Sequence, residues 1–307
     1  MSVLMLFLDG VGIGVQDPRE NPIAAGYAPV FSSLLGDVSP RIPTSRPGFQ
    51  TTTMRLDATL GIRGLPQSGT GQATLFTGVN TARILGKHFG PYPHSTFHPL
   101  LQERNIFRQL ADSGLSSCFA NAFPQQFFDH INSHPSRLSV TTLSCTMSGI
   151  PLLRVDSLNS GDAVSADITG IGWEALGHSD ATVIPPEEAG RRLGLLSRRY
   201  DFVLFEYWKT DHAGHAMSFG EAAKVLDPLD KMLSGLLEEL DERTLLLITS
   251  DHGNIEDLSR KVHTLNDVPL VLHGKEHSRM AESVRSHGGS DLSCVTPAII
   301  DFLDEPR

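Results

Sequence analysis

Residues 244–254, with the sequence TLLLITSDHGN, place an acid and a histidine directly after a short apolar run. The run from 245 to 248 contains no polar residue, which is typical of a strand buried on both faces of a sheet. Asp251 and His252 follow at the point where this strand ends. Ligands of open α/β sheets bind at the carboxyl ends of the strands. This stretch therefore predicts both a fold class and the place of a site.

The same arrangement occurs elsewhere in the chain. Residues 3–8 are apolar and lead into Asp9, and residues 202–207 form a further strand candidate. Apolar strands that alternate with helices predict an α/β fold, here a three-layer sandwich with a mainly parallel central sheet. Helical patterns are present at 23–35, 107–115, 187–199, 221–240 and 295–303.

The middle of the chain differs in composition. Between about 125 and 186 it is rich in Ser, Thr, Gly, Asp and His, and its periodicity is weak. We therefore expect residues 126–184 to form a small inserted cap that faces the substrate. Residues 1–125 and 185–307 are expected to form the α/β core that carries the site.

Composition and charge exclude several classes of protein. The chain has 307 residues, 40% of them hydrophobic, which is enough to form a sizeable core. Its net charge of −10 argues against binding to nucleic acid or to an anionic membrane, since both require a basic surface. The three cysteines include no CxxC pair, which argues against a disulfide framework or a cysteine zinc site.

The expected location is the cytoplasm, because so few scattered cysteines favour reduced thiols. No run reaches the roughly 18 apolar residues of a membrane span. Residues 3–8 lack a preceding basic region, so we expect a first strand and not a signal peptide. The sequence leaves the oligomeric state open.

Three further polar residues lie near predicted strand ends. Asp211 and His215 are four residues apart, which places them on one side of a helical turn. His263 precedes the apolar run at 268–272. A carboxylate and imidazoles in such positions suit a divalent metal ion. Each of these residues, like Asp9 before Gly10, also has an ordinary explanation as a turn, loop or helix-capping residue.

A glycine-rich stretch at 64–74, GLPQSGTGQAT, precedes an apolar helical segment. A serine at a helix N-terminus lies beside free backbone N–H groups and the positive end of the helix dipole. Such a position suits a nucleophile that acts on an anionic substrate. Ser68 or Thr70 could instead be only the N-cap of this helix. The GxxxxGK[ST] spacing of a P-loop is missing.

Taken in order, these stretches resemble the metal and nucleophile motifs of the alkaline phosphatase superfamily. They look most like the branch that contains cofactor-independent phosphoglycerate mutase and phosphopentomutase. The resemblance covers roughly residues 1–125 and 185–307. The matching stretches are LFLDGVGIG at 6–14, LPQSGTGQATLFTG at 65–78, TDHAGH at 210–215, ITSDHGNIED at 248–257, HTLNDVPLVL at 263–272 and DLSCVTPAIIDFL at 291–303.

The resemblance implies two divalent metal ions, Mn²⁺ or Zn²⁺, and a serine nucleophile, Ser68, with Thr70 as the second choice. Without metal, the converging carboxylates would repel one another, so a cation site is also expected on electrostatic grounds. Ligands of mixed Asp and His type suit either metal. One ion is assigned to Asp9, Ser68, Asp251 and His252, and the other to Asp211, His215 and His263.

The resemblance further implies phosphoryl transfer on a small phosphorylated metabolite. The mutases of this branch carry large inserted domains, whereas the cap here is small, so we expect phosphomonoester hydrolysis ahead of mutase chemistry. A catalytically silent member that binds metal and ligand is a third possibility, and phosphonate or sulfate-ester hydrolysis is a weaker one. Arg83, Lys87 and His88 follow the nucleophile helix and are candidates to bind the substrate, although each could be an ordinary surface charge.

Overall fold

The computed structural model describes residues 1–36, 48–133 and 137–304. These residues form strands and helices that alternate along much of the chain. The strands are β1 (Ser2–Leu8), β2 (Gln50–Leu56), β3 (Ser117–Phe119), β4 (Asn121–Ala122), β5 (Val164–Ser165), β6 (Phe202–Tyr207), β7 (Thr244–Thr249) and β8 (Val268–Gly274). The α-helices are α1 (Pro29–Leu35), α2 (Ser68–Thr77), α3 (Thr81–Leu85), α4 (His98–Arg104), α5 (Ile106–Asp112), α6 (Gln125–Ser133), α7 (Val140–Ser148), α8 (Val155–Ser160), α9 (Pro186–Leu196), α10 (Lys209–His215), α11 (Phe219–Glu239), α12 (His277–Ser286) and α13 (Val295–Asp304).

Within the described residues, six strands form the central sheet, in the order β2-β8-β7-β1-β6-β3. The strand β1 pairs in parallel with β6 and β7, and β6 pairs in parallel with β3. Only β8 runs against the other five, because it is antiparallel to both β7 and β2. The predicted α/β fold with a mainly parallel sheet is confirmed. Strands β4 and β5 form a separate parallel pair.

Two hydrophobic clusters cover the two faces of the sheet. In β1 the odd-numbered residues from Val3 to Phe7 join one cluster, and the even-numbered residues from Leu4 to Leu8 join the other. The first cluster contains residues of α2, α5, α7, α12 and α13, and the second contains residues of α1, α9 and α11. Helices therefore cover both faces, which is why β1 is apolar at every position.

The first helix is shorter than its pattern predicts. The apolar spacing suggests a helix from 23, but α1 begins at Pro29. Gly26 has a φ of 87°, in the left-handed region, so a right-handed helix cannot continue through it. Pro29 then occupies the first turn, where its fixed φ suits a helix start and its missing N–H costs no hydrogen bond.

The segment 126–184 makes extensive contacts with the rest of the chain. Its helix α7 packs against α2, α4 and α5, and Val164 lies in one of the two core clusters. Trp173 is buried in a small cluster with Ala122 and Leu158, and its indole N–H donates to Ser165 Oγ at 2.6 Å. Part of this segment packs against core helices. That residues 126–184 form a separate cap stays a prediction.

The sheet topology brings the loops that follow several strands to the carboxyl edge of the sheet. Strand β1 lies between its parallel neighbours β6 and β7, with Leu8 paired to Tyr207 and Phe7 paired to Thr249, so the three strands end within one residue of one another. The residues that follow each strand therefore meet at the same carboxyl edge. In the part of the chain that the structure describes, no helix is both long enough and apolar enough to cross a membrane.

Candidate metal centre

The predicted metal ligands meet at the carboxyl edge of the sheet. They follow the parallel strands β1, β6 and β7, precede the antiparallel strand β8, or begin the helix α2. Asp9 follows β1, Asp211 and His215 lie on α10 after β6, Asp251 and His252 follow β7, His263 precedes β8, and Ser68 is the first residue of α2.

The first group of ligands surrounds His252. Its Nε2 atom lies 3.4 Å from Asp9 Oδ1, 3.6 Å from Asp251 Oδ2 and 3.0 Å from Ser68 Oγ. Ligand atoms of Asp9, Asp251 and His252 all lie within 4.8 Å of one another. All four side chains are buried. The structure thus gathers the residues that the sequence assigns to one ion.

The second group surrounds Asp211. Its Oδ2 atom lies 3.3 Å from His215 Nε2, and its Oδ1 atom lies 3.5 Å from His263 Nε2. Asp211, His252 and His263 also form a set whose ligand atoms are within 4.8 Å. The rings of His252 and His263 stack with their centroids 3.7 Å apart. The two groups are therefore adjacent, as a two-metal site requires.

The two histidines of the second group have defined tautomers. His215 Nδ1 donates to the Lys261 carbonyl at 2.7 Å, and His263 Nδ1 donates to the Pro66 carbonyl at 2.8 Å. A carbonyl oxygen only accepts, so in each neutral ring the proton is on Nδ1 and the lone pair is on Nε2. Both Nε2 lone pairs face Asp211. Donation of the other ring N–H to a backbone carbonyl is the usual arrangement of a metal-binding histidine.

Asp9 provides a direct test of whether these residues fit a cation. Its Oδ1 atom is buried and has no hydrogen-bond partner among the described residues. Burial, followed by the nearby carboxylates of Asp251 and Asp211, raises the pKa of Asp9 well above its ordinary value. A divalent cation would both coordinate this oxygen and offset the repulsion. Three carboxylates and three imidazoles without a thiol fit Mn²⁺ or Zn²⁺.

Two amide side chains orient the carboxylates, and neither was predicted from the sequence. Gln72 Nε2 donates to Asp251 Oδ2 at 3.1 Å and to Asp9 Oδ2 at 3.4 Å. Asn254 Nδ2 donates to Asp211 Oδ1 at 2.6 Å. The sequence held a clue to the first, because Gln72 lies one helical turn after Ser68.

A buried carboxyl group was also missed. Glu206 lies on β6, in a strand that is otherwise apolar, and Thr141 of α7 donates to its Oε2 atom at 2.5 Å. Burial raises the pKa of Glu206 to about 7, although the Thr141 hydrogen bond lowers it and the Asp251 charge raises it further. A glutamate within an apolar strand was the clue in the sequence.

Ser68 is not the N-cap of α2, and its hydroxyl lies beside a predicted metal ligand. The N-cap of α2 is Gln67, which makes no side-chain capping bond, and Ser68 Oγ contacts His252 instead. The hydroxyl of Thr70 donates to the Gln67 carbonyl at 3.0 Å and lies 3.4 Å from the Phe89 carbonyl. Of the two candidate nucleophiles, only Ser68 contacts a predicted metal ligand through its hydroxyl.

The predicted substrate-binding residues are placed differently. Arg83 and Lys87 are exposed. His88 is half-buried, with its Nε2 atom 3.2 Å from the Ile62 carbonyl, and burial lowers its pKa. Within the described ranges, no hydrogen bond or ion pair joins these three residues to the metal-ligand candidates. Their role toward the substrate stays a prediction.

Two sequence comparisons match part of this chain to known proteins. The sequence model of the Metalloenzyme superfamily matches residues 191–305, which carry α10, β7 and β8. A protein of Thermomicrobium roseum named 2,3-bisphosphoglycerate-independent phosphoglycerate mutase is 32% identical over 122 residues. That match covers 37% of this chain and 23% of the relative, so the chain matches less than a quarter of the mutase's length.

Solved structures show the same fold over the full chain. The PH0037 protein of Pyrococcus horikoshii has a TM-score of 0.55 at 12% identity, covering 100% of this chain and 98% of its own. The alkaline phosphatase of the Antarctic bacterium TAB5 has a TM-score of 0.54 at 12% identity, with the same coverage. The family match over part of the chain, the sequence relative and the shared fold all support the predicted resemblance to the alkaline phosphatase superfamily.

Proposed function

We propose that this chain is a two-metal enzyme that transfers the phosphoryl group of a small phosphorylated metabolite through Ser68. The observation that carries the proposal is the position of Ser68 Oγ, which lies 3.0 Å from His252 Nε2 at the first turn of α2. One ion would be held by Asp9, Ser68, Asp251 and His252, and the other by Asp211, His215 and His263. When bound, divalent ions would lower the pKa of the serine hydroxyl and neutralise charge on the phosphate.

The helix α2 supports the role of Ser68. It has ten residues, and Ser68 is the first of them. The positive end of the helix dipole therefore lies at this hydroxyl, where a phosphate dianion would be stabilised. Ser68 is also held in place, because its hydroxyl contacts the ring of His252, which is fully buried.

The charge balance explains how an acidic protein would bind an anion. The chain carries a net charge of −10, and the centre itself contains the carboxylates of Asp9, Asp211 and Asp251. Two divalent ions would supply four positive charges against these three negative ones. The local field at Ser68 would then attract phosphate despite the overall charge of the protein.

We favour hydrolysis over mutase chemistry. A mutase must hold the dephosphorylated substrate and exclude water until the phosphoryl group is returned. The segment expected to do this, 126–184, is short, and its helix α7 packs against α2, α4 and α5. Fewer residues are then left to enclose a substrate. The mutase alternative is favoured by the sequence relative, which is named as a phosphoglycerate mutase.

Turnover of a panel of phosphomonoesters tests the proposal. The protein would be stripped of metal by chelation and reloaded with Mn²⁺ or Zn²⁺, and both free phosphate and isomerised ester would be followed. Metal-dependent release of phosphate is the expected result. Isomerised ester without free phosphate would establish the mutase alternative. Absence of turnover in a metal-loaded protein would refute both and support a silent, ligand-binding member of the superfamily.

A further inference from the structure

Glu256 is a buried carboxylate whose hydrogen bonds join three loops of the metal centre. It is fully buried. Its Oε2 atom accepts from the backbone N–H of Gly12 at 2.9 Å and of Asn254 at 2.7 Å. Its Oε1 atom accepts from Thr264 Oγ1 at 2.5 Å and from Asn266 Nδ2 at 3.0 Å. Four donors thus use the four acceptor positions of one carboxylate.

Each of these loops carries predicted metal ligands. Gly12 lies three residues after Asp9, in the loop that leaves β1. Asn254 lies two residues after His252, in the loop that leaves β7. Thr264 directly follows His263, before β8. A single side chain therefore spans residues that come from distant parts of the sequence.

The contact also reaches the second ligand group. Asn254, whose backbone N–H donates to Glu256, uses its side chain to donate to Asp211 Oδ1 at 2.6 Å. A shift of Glu256 would therefore move Asn254, and with it the hydrogen bond that Asn254 donates to Asp211. The carboxylate of Glu256 is in this way connected to ligands of both predicted ions.

The backbone at Gly12 and Gly253 lies so close to Glu256 that a side chain at either position would overlap its carboxylate. A Cβ atom added at Gly12 would lie 2.3 Å from Glu256 Oε1, and one added at Gly253 would lie 2.2 Å from the same atom. The carboxylate is therefore pressed against the backbone of two loops. Hydrogen bonds between an ionised acceptor and backbone N–H groups are stronger than those between neutral groups.

We propose that Glu256 is a positioning residue of the metal centre, whose carboxylate sets the relative placement of the loops that carry both ligand groups. This inference rests on the proposed function, since it assumes that the centre binds metal. Both oxygens of Glu256 are already used by donors, so the residue acts through the ligands and not by coordination. All four hydrogen-bond partners of Glu256 are donors, so both of its carboxylate oxygens must act as acceptors.

The variant Glu256→Gln tests this requirement. Its amide nitrogen is a donor, so it must face either the N–H groups of Gly12 and Asn254 or the side chains of Thr264 and Asn266. In the first orientation it opposes two N–H donors, and in the second it opposes the amide of Asn266. Loss of the hydrogen-bond partner of a metal ligand typically weakens metal binding 10- to 100-fold. Glu256 contacts residues next to the ligands and not the ligands themselves, so we expect Mn²⁺ to bind Glu256→Gln about 10-fold more weakly, by titration calorimetry.

A matched control separates positioning from a general loss of stability. Asp230 on α11 is another buried carboxylate that accepts a backbone N–H, from Phe31 at 2.9 Å. Asp230→Asn should lower the unfolding temperature without changing Mn²⁺ affinity. The absorption spectrum of the Co²⁺-loaded protein, which reports ligand geometry, should change in Glu256→Gln and not in Asp230→Asn. Equal loss of Mn²⁺ affinity in both variants would overturn the proposal.

A milder variant covers the case in which Glu256→Gln does not fold. Thr264→Val keeps the shape of the side chain and removes one donor to Oε1. It should weaken Mn²⁺ binding several-fold and alter the Co²⁺ spectrum. Wild-type affinity and spectrum in either folded variant would refute the role of Glu256 alone. Failure of the wild-type protein itself to bind Mn²⁺ or Co²⁺ would refute the proposed function together with this inference.

Discussion

The Nε2 atoms of His215 and His263 face each other at 3.3 Å, and the Nδ1 atom of each ring donates a hydrogen bond to a backbone carbonyl. In neutral rings both Nε2 atoms are acceptors, so neither can donate to the other. Asp211 adds a carboxylate to the same space. Three acceptors that face one another repel, and a cation between them would replace this repulsion by attraction.

Metal should therefore stabilise the folded protein. A ligand that binds only the native state adds about 2.7 kcal/mol to the free energy of unfolding when present at 100 times its dissociation constant. We expect Mn²⁺ or Zn²⁺ to raise the unfolding temperature of the chelated protein, and the rise to be smaller in His263→Ala. Scanning calorimetry with and without metal provides the measurement. An unchanged unfolding temperature in wild type would contradict the ligand assignment.

Metal binding should release protons. Because burial and neighbouring carboxylates raise the pKa of Asp9, its carboxyl in the metal-free protein keeps a proton at pH values where a free aspartate is ionised. Coordination requires the ionised form, so this proton must leave. Affinity should then increase with pH, until Asp9 is ionised in the free protein. Calorimetric titrations in two buffers of different ionisation enthalpy would measure the number of protons released; a value of zero near neutral pH would contradict this prediction.

Ser68→Ala should abolish turnover. The change removes the proposed nucleophile and one metal ligand, but it leaves Asp9, Asp251 and His252 in place. Metal binding should therefore be weakened and not lost. Initial rates and metal content of the same preparation would be compared with those of wild type. Unchanged turnover would instead transfer the nucleophile role to Thr70 or to water.

Asp251→Asn should lower the metal content from two ions per chain toward one. Asp251 is fully buried and belongs to the first ligand group only, so the second group should keep its ion. Elemental analysis after dialysis against limiting metal would give the stoichiometry. Asp227→Asn is the control, because Asp227 is an exposed partner of Lys231 on α11. Full occupancy in Asp251→Asn would refute the assignment of that ligand.

Glu206→Gln should change how stability depends on pH in the metal-free protein. The pKa of Glu206 rises from its ordinary value of 4.5 to about 7 on folding, so the native state binds this proton more tightly than the unfolded state. This group leaves stability unchanged below about pH 4.5, lowers it between 4.5 and 7, where only the unfolded state has lost the proton, and lowers it no further above 7. Glutamine has no such proton to lose. Relative to wild type, the variant should gain about 3 kcal/mol in free energy of unfolding between pH 4 and pH 8.

Urea unfolding at several pH values would measure this gain. Thr141→Val offers a matched variant, because the Thr141 hydroxyl lowers the pKa of Glu206. Its loss should move the upper end of the pH window upward. In the Glu206→Gln background the same change should leave the pH dependence unaltered. A stability difference between Glu206→Gln and wild type that does not vary with pH would contradict the prediction.

Much of the fold was predictable because its determinants are local. An apolar run such as 245–248 specifies a buried strand wherever it occurs, and the acid that follows it must lie at the strand's carboxyl end. The spacing of Asp211 and His215 likewise places both on one face of α10. The boundaries were less certain, as α1 shows, since Gly26 delays a helix that the apolar spacing alone would start earlier.

The interior of the site was not predictable in the same way. Gln72, Glu206 and Glu256 each contact residues more than 60 positions away along the chain, through Asp251, Thr141 and Gly12. No local pattern encodes such a pair, because the partner is selected by strand order and helix packing. The exposure of Arg83 and Lys87 was equally unpredictable, since their sequence distance from Ser68 does not give the direction of their side chains.

The sequence by itself determined the α/β class and the residue types available as ligands. Apolar strands, glycine turns and acid–histidine pairs are properties of short segments, so they can be recognised without the rest of the chain. Only the tertiary structure decided that these ligands form two adjacent groups, that Ser68 contacts His252, and that Glu256 joins three loops. These relationships depend on the parallel pairing of β1 with β6 and β7, which brings distant strand ends to one edge of the sheet.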